Sequence, residues 1–441
     1  MKQTNKLPKL GFLYLDYVLR FFDYSNFKGW PDKIEEVTYH WKNDKTRFIN
    51  EVRRKNIDVL VGNIPATAYE TFKEIASALP NVRFVPSIET QFSNKSKENV
   101  TLFCEKYNIQ APKTIITYDE KEADKHFKNC HYPQIVKRSY GASNYGGYYV
   151  HKVDDYKEAK ALLAEKKYQP VYSQDGIPLK DSGDIRVMLI GHKPVCAFWR
   201  YSGTGEWITN TSQGGSMSYE NVPMSVLELA VKASKAAKAE YWACDIAIDE
   251  NTDEPYILEC ATAFAAFPYI RDWIGQYIMW DLSGGRFRLP HVPLYSWEEL
   301  GKMDPSVLRT LRHLYFAKYE PSVDGAYWLA DKGSFDMELT DESYPSDVPL
   351  RIEPPLSEDK LPQMLKGEIE TKASVIPAED LFQLENVSLT ELMTLQGIEE
   401  DVAIRIKELI DSKSITDFED LDKYNVITKN QISQWTKSFK K

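Results

Sequence analysis

Residues 133 to 150, PQIVKRSYGASNYGGYYV, set Lys137 at the end of an apolar run and follow it with Gly141, Gly146 and Gly147. Small residues let a backbone close over phosphate oxygens, and a lysine at a strand end brings one positive charge to them. Phosphate chemistry is what this pattern offers, and a plain glycine-bearing turn is the other reading of the same letters. No competing arrangement is written in the chain. It has no GxSxG elbow, no HExxH and no GxxxxGK[ST], and its histidines, among them His40, His131, His192 and His291, show no ligand spacing.

A loop of this kind must be held by sheets, and the patterning supplies them. Residues 9 to 90 alternate short apolar runs (KLGFLYL, IDVLVGNI, VRFVP) with amphipathic stretches (TRFINEVRRKN, YETFKEIASALP), the rhythm of βαβ units and a small parallel sheet. Residues 97 to 110 carry apolar positions at helical spacing and stop before Pro112. From 113 to 290 the pattern turns to hairpins and longer strands with two helices, notably PMSVLELAVKASKAAKA at 223 to 239. Residues 331 to 378 are acidic and proline-rich and read as an extended linker, and a compact helical tail follows from 379.

Composition bounds the function. A length of 441 residues suggests roughly three domains. Hydrophobic and aromatic fractions of 43% and 13% are those of a folded protein. The net charge of -10 argues against a chain that coats nucleic acid, which needs a dense positive surface. The five cysteines, odd in number and without CxxC spacing, suit a reducing compartment. The opening MKQTNKLPK and the short GFLYLDYVL, interrupted by Asp16, read as neither a signal peptide nor a membrane span, so a cytoplasmic protein is expected.

From about Ser93 to Arg271 the chain resembles the ATP-grasp superfamily, and within it the RimK-like ligases that attach amino acids to carboxylates. Lys97 heads a helix that ends in NIQAPKT, much like the family's lysine followed by GIPVPKT. VYSQDGI at 171 to 177 resembles the hinge strand, with Gln174, Asp175 and Ile177 at the adenine and ribose positions. GDIRVMLIGHKPVCAFWR at 183 to 200 is similar to GKDIRCFVVGDKVVAAMKR and sets Asp184, Arg186 and Arg200 at motif positions. GEWITNTSQGG at 205 to 215 resembles GEFRSNLHRGG and keeps Asn210, Gly214 and Gly215 in step, while WACDIAI and EPYILECA supply Asp245 and Glu259.

This resemblance implies an enzyme that uses ATP and Mg²⁺ to join a carboxylate to an amine through an acylphosphate, forming ADP. Lys97 and Lys137 would be the ATP lysines, with Gly141, Gly146, Gly147, Gln174, Asp175, Ile177 and Asp184 completing the nucleotide site. Asp245 and Glu259 would hold Mg²⁺, a hard cation that favours carboxylate and phosphate oxygens. Arg186, Arg200 and Asn210 would act on the transferred phosphoryl or acyl group, guanidinium being shaped for bidentate oxyanion contacts. A solvated Arg200, a ligand-free double glycine and ordinary surface acids remain the plainer readings. The implied fold class is α/β and α+β multidomain. Its parts are a pre-ATP-grasp βαβ domain over 1–95, a two-lobed ATP-grasp domain over 96–290, an accessory or linker region over 291–378, and a small all-α tail over 379–441.

Two departures from the family pattern bear on function. Ala261 stands where the family's Glu-x-Asn motif carries a third metal ligand, a contact that water can replace on six-coordinate Mg²⁺. Ile208, Ser212 and Gln213 replace the family's Arg, His and Arg, so a substrate other than a simple acidic peptide end is expected.

The tail from 386 to 435 resembles a duplicated helix-hairpin-helix module of the DNA uptake and repair kind, with Leu392, Leu395, Ile398, Ala403, Ile406, Phe418 and Leu421 on one buried face. Glu399, Glu400 and Asp401 follow its Gly397-Ile398 and oppose phosphate, whereas the stretch after Asp422 has five lysines and no acid. The tail at 386–441 therefore reads as a DNA contact, a protein-docking surface or a purely structural module; no membrane association and a homo-oligomer are expected. A ligase that modifies DNA or a nucleotide, and a nucleotide-binding scaffold without turnover, are the alternatives.

Overall fold

A computed structural model of the chain describes residues 6–16, 18, 20–41, 44–139, 149–203 and 215–312, with scattered positions between 387 and 423. The chain divides into two compact units, 1–358 and 359–441.

The first unit opens with β1 (Leu10–Leu15), β2 (Glu35–Tyr39), α1 (Lys45–Arg54), β3 (Val59–Val61), α2 (Tyr69–Ala78) and β4 (Arg83–Val85). All pairings are parallel, in the order β2-β1-β3-β4. Every residue of β1 is buried, as a strand covered on both faces requires. Strand β2 escapes an apolar-run reading because Glu35 and Glu36 open it and only Val37 and Tyr39 are buried. Sequence patterning had given this region its other three strands and both helices.

Helix α3 (Lys97–Lys106) starts at Ser96, whose hydroxyl accepts from the Asn99 N–H at 3.2 Å. It ends at Tyr107, before Asn108 turns left-handed at φ +50, so Pro112 is not what stops it. A small antiparallel sheet follows, from β5 (Thr114–Thr117), β6 (Gln134–Arg138), β7 (Val150–Val153) and β8 (Val171–Asp175), in the order β5-β8-β6-β7. Helices α4 (Glu120–Asn129) and α5 (Tyr156–Lys166) cover it and share a separate core with Phe127, Val136 and Val153.

The five-stranded sheet β11-β10-β9-β12-β13 is antiparallel, built from β9 (Leu179–Ile190), β10 (Lys193–Tyr201), β11 (Ser216–Ser218), β12 (Tyr241–Asp249) and β13 (Pro255–Ala261). The β9–β10 hairpin turns at Gly191, whose φ of +55 suits glycine. Helix α6 (Met224–Ala237) buries Val226, Leu227, Ala230 and Val231 against this sheet, and α7 (Pro268–Leu282) buries Ile270, Ile274 and Ile278. Among the described residues four helices thus lie between 113 and 290 where two were expected. The additional ones, α4 and α5, bury only Ala123, Phe127 and Ala159, too little to print a helical stripe; their Asp119 and Asp155 caps were the legible signal.

The described part of the accessory or linker region, residues 291–312, packs on the rest of its unit. Helices α8 (Ser296–Leu300) and α9 (Pro305–Thr310) bury Trp297 and Leu308 in the same core that contains Leu10 and Phe12 of β1. Polar bonds tie the parallel sheet to later segments. Asn26 donates to Asp272 at 2.9 Å, and the Tyr241 hydroxyl donates to Asn63 at 3.0 Å. Asn94, fully buried, accepts from the Thr262 and Ala263 N–H groups at 3.0 Å each and donates to Ile64 O at 2.8 Å.

In the second unit Leu392, Ile406 and Leu421 of the expected apolar face are buried, together with Val387, Leu409 and Ile410. The helix-hairpin-helix reading otherwise lies outside the described residues, as does the 331–378 segment. Among the described residues no helix is long and apolar enough to cross a membrane.

Candidate active site

Alternation along a strand puts Asp184 and Arg186 of β9 on one face. The register sets Arg200 of β10 opposite Asp184, Asp245 of β12 opposite Arg186, and Glu259 of β13 opposite Asp245. Five charged side chains from four strands are thereby gathered into one patch. Arg200 forks onto Asp184, with Nε to Oδ1 at 2.8 Å and Nη2 to Oδ2 at 2.6 Å, and its Nη2 also lies 2.9 Å from Asp245 Oδ2. Arg186 forks onto Asp245 with both bonds at 2.8 Å. Burial by itself would raise the Asp245 pKa, but Arg186 and Arg200 outweigh it and hold the carboxyl well below the usual carboxylate range. Burial likewise opposes the charge on Arg200, and Asp184 and Asp245 raise its pKa above the ordinary arginine value.

The two lysines come from the other side. Lys97, 4% exposed, is the first residue of α3, and its N–H donates to Ser139 O at 2.9 Å just beyond β6. Lys137 of β6 donates to Gln174 Oε1 at 2.8 Å, while the Gln174 amide nitrogen reaches Thr114 Oγ1 at 3.1 Å and the Tyr172 hydroxyl at 3.2 Å. Burial first, and then the Lys97 charge, push the Lys137 pKa down to about 8 against the pull of Glu259 and Asp184. Lys137 is therefore within electrostatic reach of Lys97, Glu259 and Asp184 at once, although these residues are far apart along the chain.

One prediction follows from this lysine. Its cationic form is the one that attracts phosphate, and that form is lost as pH rises through about 8. ATP affinity should then fall by up to about tenfold per pH unit above that point. Lys137→Arg, charged throughout, should remove the fall. Calorimetric ATP titrations from pH 6.5 to 9.5 check it, and a flat profile for the unsubstituted chain would count against Lys137 as a phosphate ligand.

The donor set can be tested for Mg²⁺. Among the described residues, Glu259 has no hydrogen-bond or ion-pair partner, and no group of three or more His, Cys, Asp and Glu gathers to cage an ion. An unpartnered carboxylate beside a two-lysine wall fits a cation that keeps waters and shares nucleotide phosphates. Asp245 fits less simply, because both its oxygens already accept from arginines. Asp249 ends β12 and accepts from the Asn251 N–H at 2.8 Å, and Asp253 in the β12–β13 turn pairs with Lys180.

The remaining expected residues divide by location. Asp175 ends β8 and Ile177 lies between β8 and β9; the Asp175 carboxylate accepts from Gln134 at 2.7 Å, and its N–H donates to Lys113 O at 2.8 Å. Gly141, Gly146, Gly147, Asn210 and Gly214 lie outside the described residues. Sequence reasoning missed the anchoring of Lys137 by the Gln174 side chain, since the register pairs Gln174 with Ile135 and the lysine is its diagonal neighbour. It also missed Asn94, which carries no periodic signal. Burial pushes the Cys104 and Cys196 thiols up to about 12, so neither is a nucleophile near neutral pH.

Residues 93–266 match the model of the RimK-like ATP-grasp domain. The matched segment contains Lys97, Lys137, Asp245 and Glu259. The chain is 26% identical over 170 residues to the alpha-aminoadipate–LysW ligase LysX of Saccharolobus solfataricus, covering 37% of this chain and 60% of that protein. It is 30% identical over 167 residues to the tetrahydromethanopterin:alpha-L-glutamate ligase of Methanocaldococcus jannaschii, covering 36% and 55%. The chain thus spans less than two thirds of the length of either relative. Among solved structures, a RimK domain protein ATP-grasp from Sphaerobacter thermophilus is 14% identical, with a TM-score of 0.41, over 58% of this chain and 92% of that one.

Proposed function

We propose that the ATP-grasp domain at 93–266 makes this chain an ADP-forming carboxylate–amine ligase. The observation that carries the reading is that Lys137 of β6 feels the charges of Lys97 from α3 and of Asp184 and Glu259 from the five-stranded sheet, where two arginines fork onto aspartates. Such a ligase needs little covalent chemistry from the protein, only positioning and charge neutralisation.

In this reading Lys97 and Lys137 pair with the α- and β-phosphates, and Gln174 keeps Lys137 aimed. Asp175 and Ile177 border the adenine and ribose, and Gly141, Gly146 and Gly147 close over the phosphates. Glu259, with Asp245, holds Mg²⁺, which when bound draws charge off the phosphoryl oxygens. A substrate carboxylate oxygen bonds to the γ-phosphorus as the bond to the bridging oxygen breaks and ADP leaves. The amine nitrogen then bonds to the acyl carbon, and phosphate leaves with the electron pair of the C–O bond. Arg186 and Arg200 stabilise the charge on the moving phosphoryl group, with Asp184 as the carboxylate that orients Arg200. Asn210 and the Gly214-Gly215 pair supply amide donors to the acylphosphate. A cytoplasmic setting, a homo-oligomer, and contact of the 386–441 tail with DNA or protein belong to the same proposal.

A nucleotide-binding scaffold without turnover is the second reading, favoured by Ala261 and by the two arginines already on Asp245. ADP release by the full chain with ATP, Mg²⁺ and separate pools of amino acids, peptides or DNA separates the two. Release stimulated by the amino-acid or peptide pool is expected. Dependence on DNA would transfer the activity to a nucleic-acid substrate, and no release with any pool would leave the scaffold.

A further inference from the structure

The two lysines of the site are joined by more than their charges. Lys137 stands opposite Tyr172 across β6 and β8, and Gln174, two residues on, stands opposite Thr114 of β5, so these four residues share one face of the small sheet. Helix α3 meets that face: the Thr101 and Tyr172 hydroxyl oxygens are 3.0 Å apart. Both residues are buried, so bulk water does not complete their bonding.

Counting hydrogens fixes the direction of every bond in this cluster. Thr101 donates its one hydroxyl hydrogen to Lys97 O at 3.1 Å, and Thr114 donates its own to Pro112 O at 2.9 Å, so both oxygens are left only to accept. The Tyr172 hydroxyl therefore donates to Thr101, and its oxygen accepts from the Gln174 amide nitrogen at 3.2 Å. That nitrogen spends its second hydrogen on Thr114 Oγ1 at 3.1 Å. With both N–H groups taken, the amide oxygen is the end left for Lys137 Nζ, 2.8 Å away. One unbroken chain of hydrogen bonds thus runs from the backbone of Lys97 to the side-chain cation of Lys137. Burial pushes the Tyr172 pKa up to about 12, so the hydroxyl in the middle of the chain keeps its proton across the neutral range.

The orientation of the amide matters to the cation. Turned the other way, Gln174 would aim two N–H donors at an ammonium that already faces Lys97 of α3, against the pull of Glu259 of β13 and Asp184 of β9. Such an ammonium gives up its proton more readily and has less charge to offer a phosphate. We propose that Tyr172, backed by Thr101, is a positioning residue for the nucleotide phosphates: it holds Gln174 with its oxygen toward Lys137 and ties that lysine to the helix that begins at Lys97. It acts through Gln174, not by touching the nucleotide. The inference rests on the ligase reading and deepens its account of the nucleotide site.

The test reads Lys137 itself, without nucleotide. The full chain is labelled with carbon-13 at the lysine ε-carbons, and the NMR signal that Lys137→Arg removes is followed through a pH titration. In the unsubstituted chain its midpoint should lie at about 8. Tyr172→Phe keeps the ring and should lower the midpoint by about half a unit or more. Thr101→Val should lower it as well, while Thr101→Ser, which keeps the hydroxyl, should leave it in place. Calorimetric ATP titration of Tyr172→Phe should match the unsubstituted chain at pH 6.5 and fall about threefold behind it at pH 9.5. A role in packing alone would lower the unfolding temperature of Tyr172→Phe without moving the midpoint. A midpoint within about 0.2 unit of the unsubstituted value in both Tyr172→Phe and Thr101→Val, or equal shifts in Thr101→Val and Thr101→Ser, would overturn the proposal. The Thr101 pair decides the matter if Tyr172→Phe does not fold. ADP release with the substrate pools is read separately. A lowered midpoint without release from any pool removes the ligase reading alone, and release with an unmoved midpoint removes the positioning role alone.

Discussion

Glu259→Gln should lower ADP formation at least about a thousand-fold while leaving the thermal unfolding temperature within a degree or two. The size of the loss follows from removing a charge that acts only when nucleotide and cation are in place, an effect of about 10²–10³ or more for one preorganised electrostatic contact. The retained fold follows from Glu259 having no hydrogen-bond or ion-pair partner among the described residues, so a neutral isostere strands no neighbour. Steady-state ADP release and a melting curve on the same preparation check both halves. A rate within tenfold of the unsubstituted chain would remove Glu259 from the site. Asp245→Asn is a poorer probe, because it also strips Arg186 of its carboxylate partner and leaves Arg200 with Asp184 alone.

Arg200→Met should instead cost the fold itself about 3–5 kcal/mol at neutral pH, the range for breaking one side of a buried ion pair. The side chains of Arg200 and Asp184 are 12% and 5% exposed, and both carboxylate oxygens of Asp184 accept from Arg200. Asp245 keeps Arg186. The pH dependence has a definite sign. In the intact network Asp245 has its pKa depressed, so its contribution is present above the unfolded value of 3.8 and is lost as pH falls below it. The gap between the variant and the unsubstituted chain should therefore narrow below about pH 4. Urea unfolding at pH 7 and pH 3.5 measures it; a gap under 1 kcal/mol at neutral pH would mean that the two aspartates do not depend on Arg200.

How much of this was legible depends on where each contact comes from. Asp184, Arg186 and Arg200 are set by one hairpin, and a hairpin's register can be read from adjacent alternating strands, so their shared face was within reach of the sequence. Asp245 and Glu259 fall opposite each other for the same reason. The motif order carried Lys97 and Lys137, but not the reason Lys137 points inward, because Gln174 meets it diagonally across β6 and β8. That Asp245 would be held by two arginines was not legible either, since it needs β9, β10 and β12 side by side. Asn94 and Thr262, 168 residues apart, show the limit most plainly: neither has a pattern around it, and only the tertiary fold pairs them.

The same long-range bonds have a consequence for how the molecule is made. Asn26 waits for Asp272, Asn63 for Tyr241, Asn94 for Thr262 and Arg83 for Asp281, so the parallel-sheet segment holds polar groups whose partners are synthesised more than 150 residues later. The nascent parallel sheet can collapse but cannot finish. Closing loops of that length is slow, and until α7 is synthesised the growing chain exposes apolar surface of the kind that chaperones shield.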